Sequence, residues 1–277
     1  METLGRSSVG RITDCFQRLA GTGQKALVVY VVAGDPTPAT TVPLMHTMVA
    51  NGASMIELGV PFTDPEAEGP VIQLAHERAM RHRVSLRDTM NMVAAFREQD
   101  QSTPVVLMGY VNPIEAMGYE KFASLAAAAG VDGTILVNVP PEEGLVLDTA
   151  LLAKGIDPVY LLAPTTPEAR ARMIFERSRG FTYYVSLKGT TGAGNLDVGE
   201  VQERVAEFKT YATTPVVVGF GIKDGVTAAQ VAEVSDGAVV GTAIVSLMAA
   251  HEQQPEQLAE AVAALVQEMR TAMDTVS

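Results

Sequence analysis

The sequence predicts an α/β fold, a single (β/α)8 TIM barrel with an extra N-terminal helix, and three observations predict it. Eight short runs rich in Val, Ile, Leu and Tyr are apolar almost throughout, as strands covered by helices on both faces must be. Segments with helical periodicity and helix-end signals alternate with those runs. The 277 residues contain no low-complexity linker and no break in composition, so residues 1–277 fit one barrel-sized domain.

Taken in order, a helix over Arg11–Leu19 precedes the first strand, Ala26–Ala33. Thr37-Pro38 opens a helix that closes near Gly52, ahead of the second strand, Ser54–Leu58. Ser85, with Asp88 three residues on, forms a capping-box pattern for the helix before the third strand, Pro104–Met108. A helix from Ile114 to Gly130 leads to the fourth strand, Gly133–Asn138, and the fifth spans Pro158–Leu162. Thr166-Pro167 and Gly180 bracket the next helix, Pro suiting a first turn and Gly a C-terminal stop. Strands over Phe181–Leu187, Pro215–Val218 and Gly237–Val240 then alternate with helices over Asp197–Tyr211 and Asp224–Val234, and a last helix covers Pro255–Met273. The rival, a doubly wound open sheet, needs a phosphate loop after its first strand, and Gly34-Asp35-Pro36 stands there instead.

Composition narrows the function. The formal charge is −12, from 20 Lys+Arg against 32 Asp+Glu, which argues against a general nucleic-acid binder and against binding to an anionic membrane. A local pocket for a phosphorylated metabolite remains compatible with that balance. The single cysteine, Cys15, excludes a disulfide framework, and the longest apolar run, Ala26–Ala33, is too short to span a bilayer. Met1–Phe16 is polar and unlike a signal peptide, so a cytoplasmic protein is expected.

Active sites of such barrels lie at the C-terminal ends of the strands. There the second strand carries Glu57, embedded in Met55-Ile56-Glu57-Leu58-Gly59. Desolvation there raises a carboxyl toward the range useful for proton transfer, unless a neighbouring cation pairs with it; the next basic residue in sequence is Arg78. The loop that follows adds Asp64, Glu66 and Glu68, which are either solvated or, for one of them, the second member of an acid–base pair. Gly219-Phe220-Gly221 and Gly241-Thr242 end the last two strands, where backbone N–H groups and a helix N-terminus suit a phosphate, although glycines also simply make tight turns. The segment Lys188–Gly194 is placed to close over the same ligand, and Lys188 is the rival catalytic group, as a Schiff-base lysine. His46, His76, His82 and His251 have no metal-site spacing, and His76 and His82 with Arg78, Arg81 and Arg83 read as a solvated cluster.

In Ile56-Glu-Leu-Gly-Val-Pro-Phe-Thr-Asp-Pro65, Tyr183-Tyr-Val-Ser-Leu-Lys-Gly-Thr-Thr-Gly192 and the two glycine pairs, the chain resembles the alpha subunits of tryptophan synthase. Ala33–Pro36, Leu107–Pro113 and Leu162–Thr166 extend the likeness, which runs from about Arg11 to the last helix. The resemblance implies a lyase that cleaves indole-3-glycerol phosphate to indole and glyceraldehyde 3-phosphate by a retro-aldol reaction, without a cofactor. It implies that Glu57 handles protons at indole C3 and the side-chain hydroxyl, that Glu68 attends the ring nitrogen, and that Tyr183 lines the site. By the same resemblance Tyr30, Tyr110, Ile135 and Phe220 form the indole pocket, and Gly192, Gly221, Gly241 and Thr242 surround the phosphate. The implied partner is a beta subunit that joins indole to serine with pyridoxal phosphate in an alpha-beta-beta-alpha assembly. Pro61, Phe62, Asn112 and Pro140, with Pro113 and Pro141, would form the docking surface, on the expectation that they are exposed.

Three positions depart from the family. Glu68 and Asn138 each stand where an Asp is usual, and Thr242 replaces a Ser but keeps a hydroxyl. The extra methylene of Glu68 moves a carboxylate by about 1.5 Å unless the loop adjusts. Two alternatives therefore accompany the lyase: an aldolase acting through Lys188 on another phosphorylated substrate, or a catalytically weak alpha-like subunit that activates a partner.

Overall fold

The computed structural model describes residues 10–186, 198–219 and 221–276. Its parallel sheet is built from β1 (Ala26–Val32), β2 (Met55–Gly59), β3 (Val105–Gly109), β4 (Gly133–Leu136), β5 (Asp157–Val159), β6 (Leu161–Leu162), β7 (Thr182–Val185), β8 (Val216–Gly219) and β9 (Gly237–Val240). The order β5-β4-β3-β2-β1-β9-β8-β7-β6 begins and ends on two pieces of one chain run, so the expected eight-strand barrel closes through a single interrupted strand. The interruption is Tyr160. Its N–H donates to Ser178 Oγ rather than into a ladder, while its carbonyl still accepts from Tyr183 N–H.

Helices cover the sheet: α1 (Arg11–Thr22), α2 (Pro38–Ala50), α3 (Pro70–Arg81), α4 (Leu86–Arg97), α5 (Val111–Met117), α6 (Tyr119–Ala129), α7 (Leu145–Leu152), α8 (Glu168–Arg177), α9 (Val198–Lys209), α10 (Gly225–Val234), α11 (Thr242–Ala250) and α12 (Pro255–Asp274). The capping box expected at Ser85 and Asp88 is present, and Asp224 caps α10 with Thr227 in the same way. The helix expected over Ile114–Gly130 is two helices, because Gly118 at φ 91° breaks the spiral between α5 and α6. Two helices escaped the sequence reading, α3 and α7.

Alternate strand residues, among them Val28, Met55, Val106, Ile135, Val159, Tyr183, Val217 and Val239, form one buried cluster, and the opposite faces pack under the helices in a larger one. Ile12, Cys15 and Leu19 of α1 join the first cluster, so the leading helix stoppers the N-terminal end of the barrel. Asp132, just ahead of β4, fixes that stopper. It accepts from Arg11 Nη1 at 2.8 Å, from Arg97 Nη2 at 2.6 Å and from the Val105 N–H at 2.8 Å. Among the described residues no helix is long and apolar enough to cross a membrane.

Arg97 and Asp132 are both buried, so removing one partner strands the other's charge. Asp132→Ala is expected to lower unfolding free energy by about 3–5 kcal/mol in urea titrations.

Candidate active site

Glu57 is the middle residue of β2 and pairs in register with Tyr30 on one side and Val106 on the other. Alternation sets it on the same face as Met55, inside the barrel. It is 1% exposed, and among the described residues neither carboxyl oxygen has a hydrogen-bond partner. Burial, reinforced by the nearby Glu68, pushes the Glu57 carboxyl up to about 8. Glu68 is itself buried, and burial raises it to about 7. Among the described residues neither carboxyl has a salt-bridge partner. An uncompensated carboxylate is costly in a dry cavity, so the protonated form is favoured there.

The loop after β2 reaches this arrangement by its own bonds. Glu68 N–H donates to the Pro65 carbonyl, and the Glu68 carbonyl accepts from Gln73 Nε2. Ala67 N–H donates to Tyr110 Oη at 3.0 Å, and the Tyr110 ring stacks on Phe62 at 4.9 Å between centroids. Tyr30 and Tyr183 are buried and lie close enough to both carboxyls for that charge, after burial, to raise their hydroxyls well above the ordinary value. They are neutral phenols at any working pH. Glycine makes room for both: a Cβ at Gly59 would lie 2.5 Å from Tyr30 Oη, and one at Gly219 would overlap the Tyr183 hydroxyl.

The remaining positions divide clearly. Ile135 is fully buried on the interior face of β4. Gly241 caps α11, whose first turn begins with exposed Thr242 and has no side-chain cap among the described residues, and Gly221 is exposed with φ 78°. Phe220, Lys188 and Gly192 lie outside the described residues. Asn112 and Pro140 are exposed, as a docking surface requires, but Pro61 and Pro141 are buried and Phe62 is half-buried because it stacks on Tyr110. The expectation of an exposed Pro61-Phe62 pair is therefore corrected. Asn138 bonds to the start of α5: its Oδ1 accepts from Val111 N–H at 2.9 Å and its Nδ2 donates to Asn112 Oδ1 at 3.0 Å.

The solvated His and Arg cluster is the second correction. Arg81, His82 and Arg83 are exposed, but His76 and Arg78 are buried on the inner face of α3. Arg78 binds both oxygens of the fully buried Asp35, at 2.6 and 3.0 Å, and so anchors α3 to the end of β1. Pro70 at the first turn, with buried Ala75 and Ala79 four apart, is the signal that would have placed His76 inside.

A parallel barrel holding two buried carboxyls of raised pKa, one on β2 and one on the loop that follows it, with glycine-rich ends to β8 and β9, fits a barrel enzyme of the general acid–base class. A family model described as tryptophan synthase alpha chain matches residues 16–274. The chain is 56% identical to the tryptophan synthase alpha chain of Thioalkalivibrio sulfidiphilus, over 96% of this chain and 100% of the relative. It is 54% identical to that of Nitrosococcus oceani, over 96% and 98%. The crystal structure of tryptophan synthase subunit alpha from Legionella pneumophila superposes with a TM-score of 0.90 at 42% identity, covering 96% and 99% of the two chains. The chain belongs to the tryptophan synthase alpha chain family.

The raised carboxyls carry a sign. Folded Glu57 keeps a proton that the unfolded chain, near 4.5, gives up, so its contribution to stability falls as pH rises from about 4.5 to about 8. Glu57→Gln, which cannot ionise, should melt higher than the parent at about pH 9, with the difference vanishing near about pH 5 in thermal scans.

Proposed function

We propose that Glu57 and Glu68 divide the proton transfers of a retro-aldol lyase, acting on indole-3-glycerol phosphate to release indole and glyceraldehyde 3-phosphate. The observation that carries the assignment is the buried, unpartnered Glu57 carboxyl beside a second raised carboxyl. Protonated Glu57 delivers its proton to indole C3 while Glu68 draws the proton from the ring nitrogen. Glu57, now a carboxylate, removes the proton of the side-chain hydroxyl. The electron pair of the breaking carbon–carbon bond returns to the ring, and the nitrogen recovers its proton from Glu68. The hydroxyl carbon leaves as the aldehyde, and Glu57 ends protonated as it began. Each carboxyl must exchange a proton near neutrality, which their raised values allow.

Tyr30, Tyr110, Ile135 and Tyr183 supply apolar walls for the indole ring. Phe220 completes that pocket in this reading, and Gly192, Gly221, Gly241 and Thr242 take the phosphate, supported by the uncapped start of α11. The reading treats the chain as one barrel domain, needing no cofactor and residing in the cytoplasm, where phosphorylated intermediates are retained. The partner is the beta subunit in an alpha-beta-beta-alpha assembly, with Asn112 and Pro140 on the docking face and Pro61 and Phe62 shaping the loop behind it.

Glu57→Gln should lower indole release from indole-3-glycerol phosphate by about 10²–10⁴-fold, and undiminished release would refute the assignment. Adding the cognate beta subunit should raise turnover at saturating substrate by ordering the loops, with a larger complex in size-exclusion chromatography. Separate elution at micromolar concentrations with unchanged turnover would remove the partnership.

A further inference from the structure

His76 is buried on α3, outside every role given above, yet both ring nitrogens have partners. The Phe62 N–H lies 3.1 Å from Nδ1 and can only donate, so Nδ1 is the acceptor and carries no proton. A neutral ring then bears its proton on Nε2, which lies 3.4 Å from Tyr30 Oη and donates to it. An imidazolium, with two N–H groups, could not accept from Phe62, and burial lowers His76 to about 4. Tyr30 Oη accepts from His76 and so retains its own proton for the carboxyl-lined mouth, where it sits above Gly59, two residues on from Glu57. At the other end, the Phe62 ring stacks on Tyr110, whose hydroxyl holds Ala67, the neighbour of Glu68. Arg78, on the same helix, locks α3 to Asp35 and fixes the base from which His76 reaches.

We propose that His76 is a positioning residue that fastens the β2–α3 loop backbone at Phe62 to the Tyr30 hydroxyl, holding Glu68 and Glu57 in one register around the substrate. The role rests on the assignment of those two carboxyls to the lyase reaction. Leucine at 76 keeps bulk but removes both bonds and orphans the Phe62 N–H. Asparagine brings an oxygen to the place of Nδ1, restoring the Phe62 bond, but stops short of Tyr30.

The test uses the full chain with its beta subunit at saturating indole-3-glycerol phosphate. His76→Leu should lose about tenfold or more in kcat, the scale on which small misplacement of a catalytic group acts, with KM changed far less. His76→Asn should recover part of that loss, and in a Tyr30→Phe background it should cost little further, because the bond it breaks is already gone. Equal kcat in His76→Leu and His76→Asn, or a His76→Leu variant that melts and turns over like the parent, would overturn the proposal. Nitrogen-15 NMR of imidazole-labelled, unsubstituted protein reads the wiring without any variant: a bare Nδ1 and a protonated Nε2 are expected, and a protonated Nδ1 overturns it. Retained indole release in Glu57→Gln would instead sink the carboxyl assignment while leaving that tautomer in place, so the two failures are distinguishable.

Discussion

Glu57 and Glu68 are carboxyls withdrawn from water at the mouth of a barrel, without an ion-pair partner among the described residues, and the rest of the site is arranged around that constraint. The penalty for ionising such a group amounts to several kcal/mol, which favours retention of a proton by at least one of the pair. In the proposed reaction that retained proton is the acid. The neighbours follow from it: Tyr30 and Tyr183 are neutral hydroxyls rather than cations, and glycines at 59 and 219 let them approach. A lysine or arginine inserted there would settle the charge and abolish the acid.

The opposite end of the barrel treats a carboxylate in the opposite way. Asp132 is as buried as Glu68 but receives two guanidinium groups and a backbone N–H, so its charge is satisfied and it serves the closure of the barrel by α1. Asp35 is satisfied too, by Arg78, and fixes α3. Satisfied carboxylates thus hold the frame, and unsatisfied carboxyls sit at the chemical end. The loop between β2 and α3 joins the two regimes, being pinned through Phe62, Ala67 and Gln73 while presenting Glu68.

The alternation of apolar runs with capped helical segments made the barrel legible in the sequence, because burial on both faces leaves little else for such strands to be. Glu57 was legible for the same reason: a charge inside an apolar strand has no water to face. The split at Tyr160 was not, since it depends on Ser178 in a distant segment taking a backbone N–H out of the ladder. His76 and Arg78 were misread because their neighbours Arg81, His82 and Arg83 dominate the local composition, whereas helical phase separates the two groups. Phe62 was misread as exposed because its stacking partner, Tyr110, lies 48 positions away and meets it through the barrel. Long-range contacts escaped, and so did the helical phase of α3, whose buried face lies between charged neighbours.

Everything in the proposed chemistry turns on a proton that the carboxyl pair keeps at neutral pH. Carbon-13 NMR of side-chain-labelled glutamate, with Glu57 and Glu68 assigned by Gln substitution, follows each carboxyl through its titration in the substrate-free protein. Transitions well above the ordinary glutamate range are expected, toward about 8 for Glu57, from burial and the Glu68 charge, and about 7 for Glu68, from burial, with the higher one falling when Glu68 is removed. Two carboxyls that both titrate at or below the ordinary value of 4.5 would contradict that expectation.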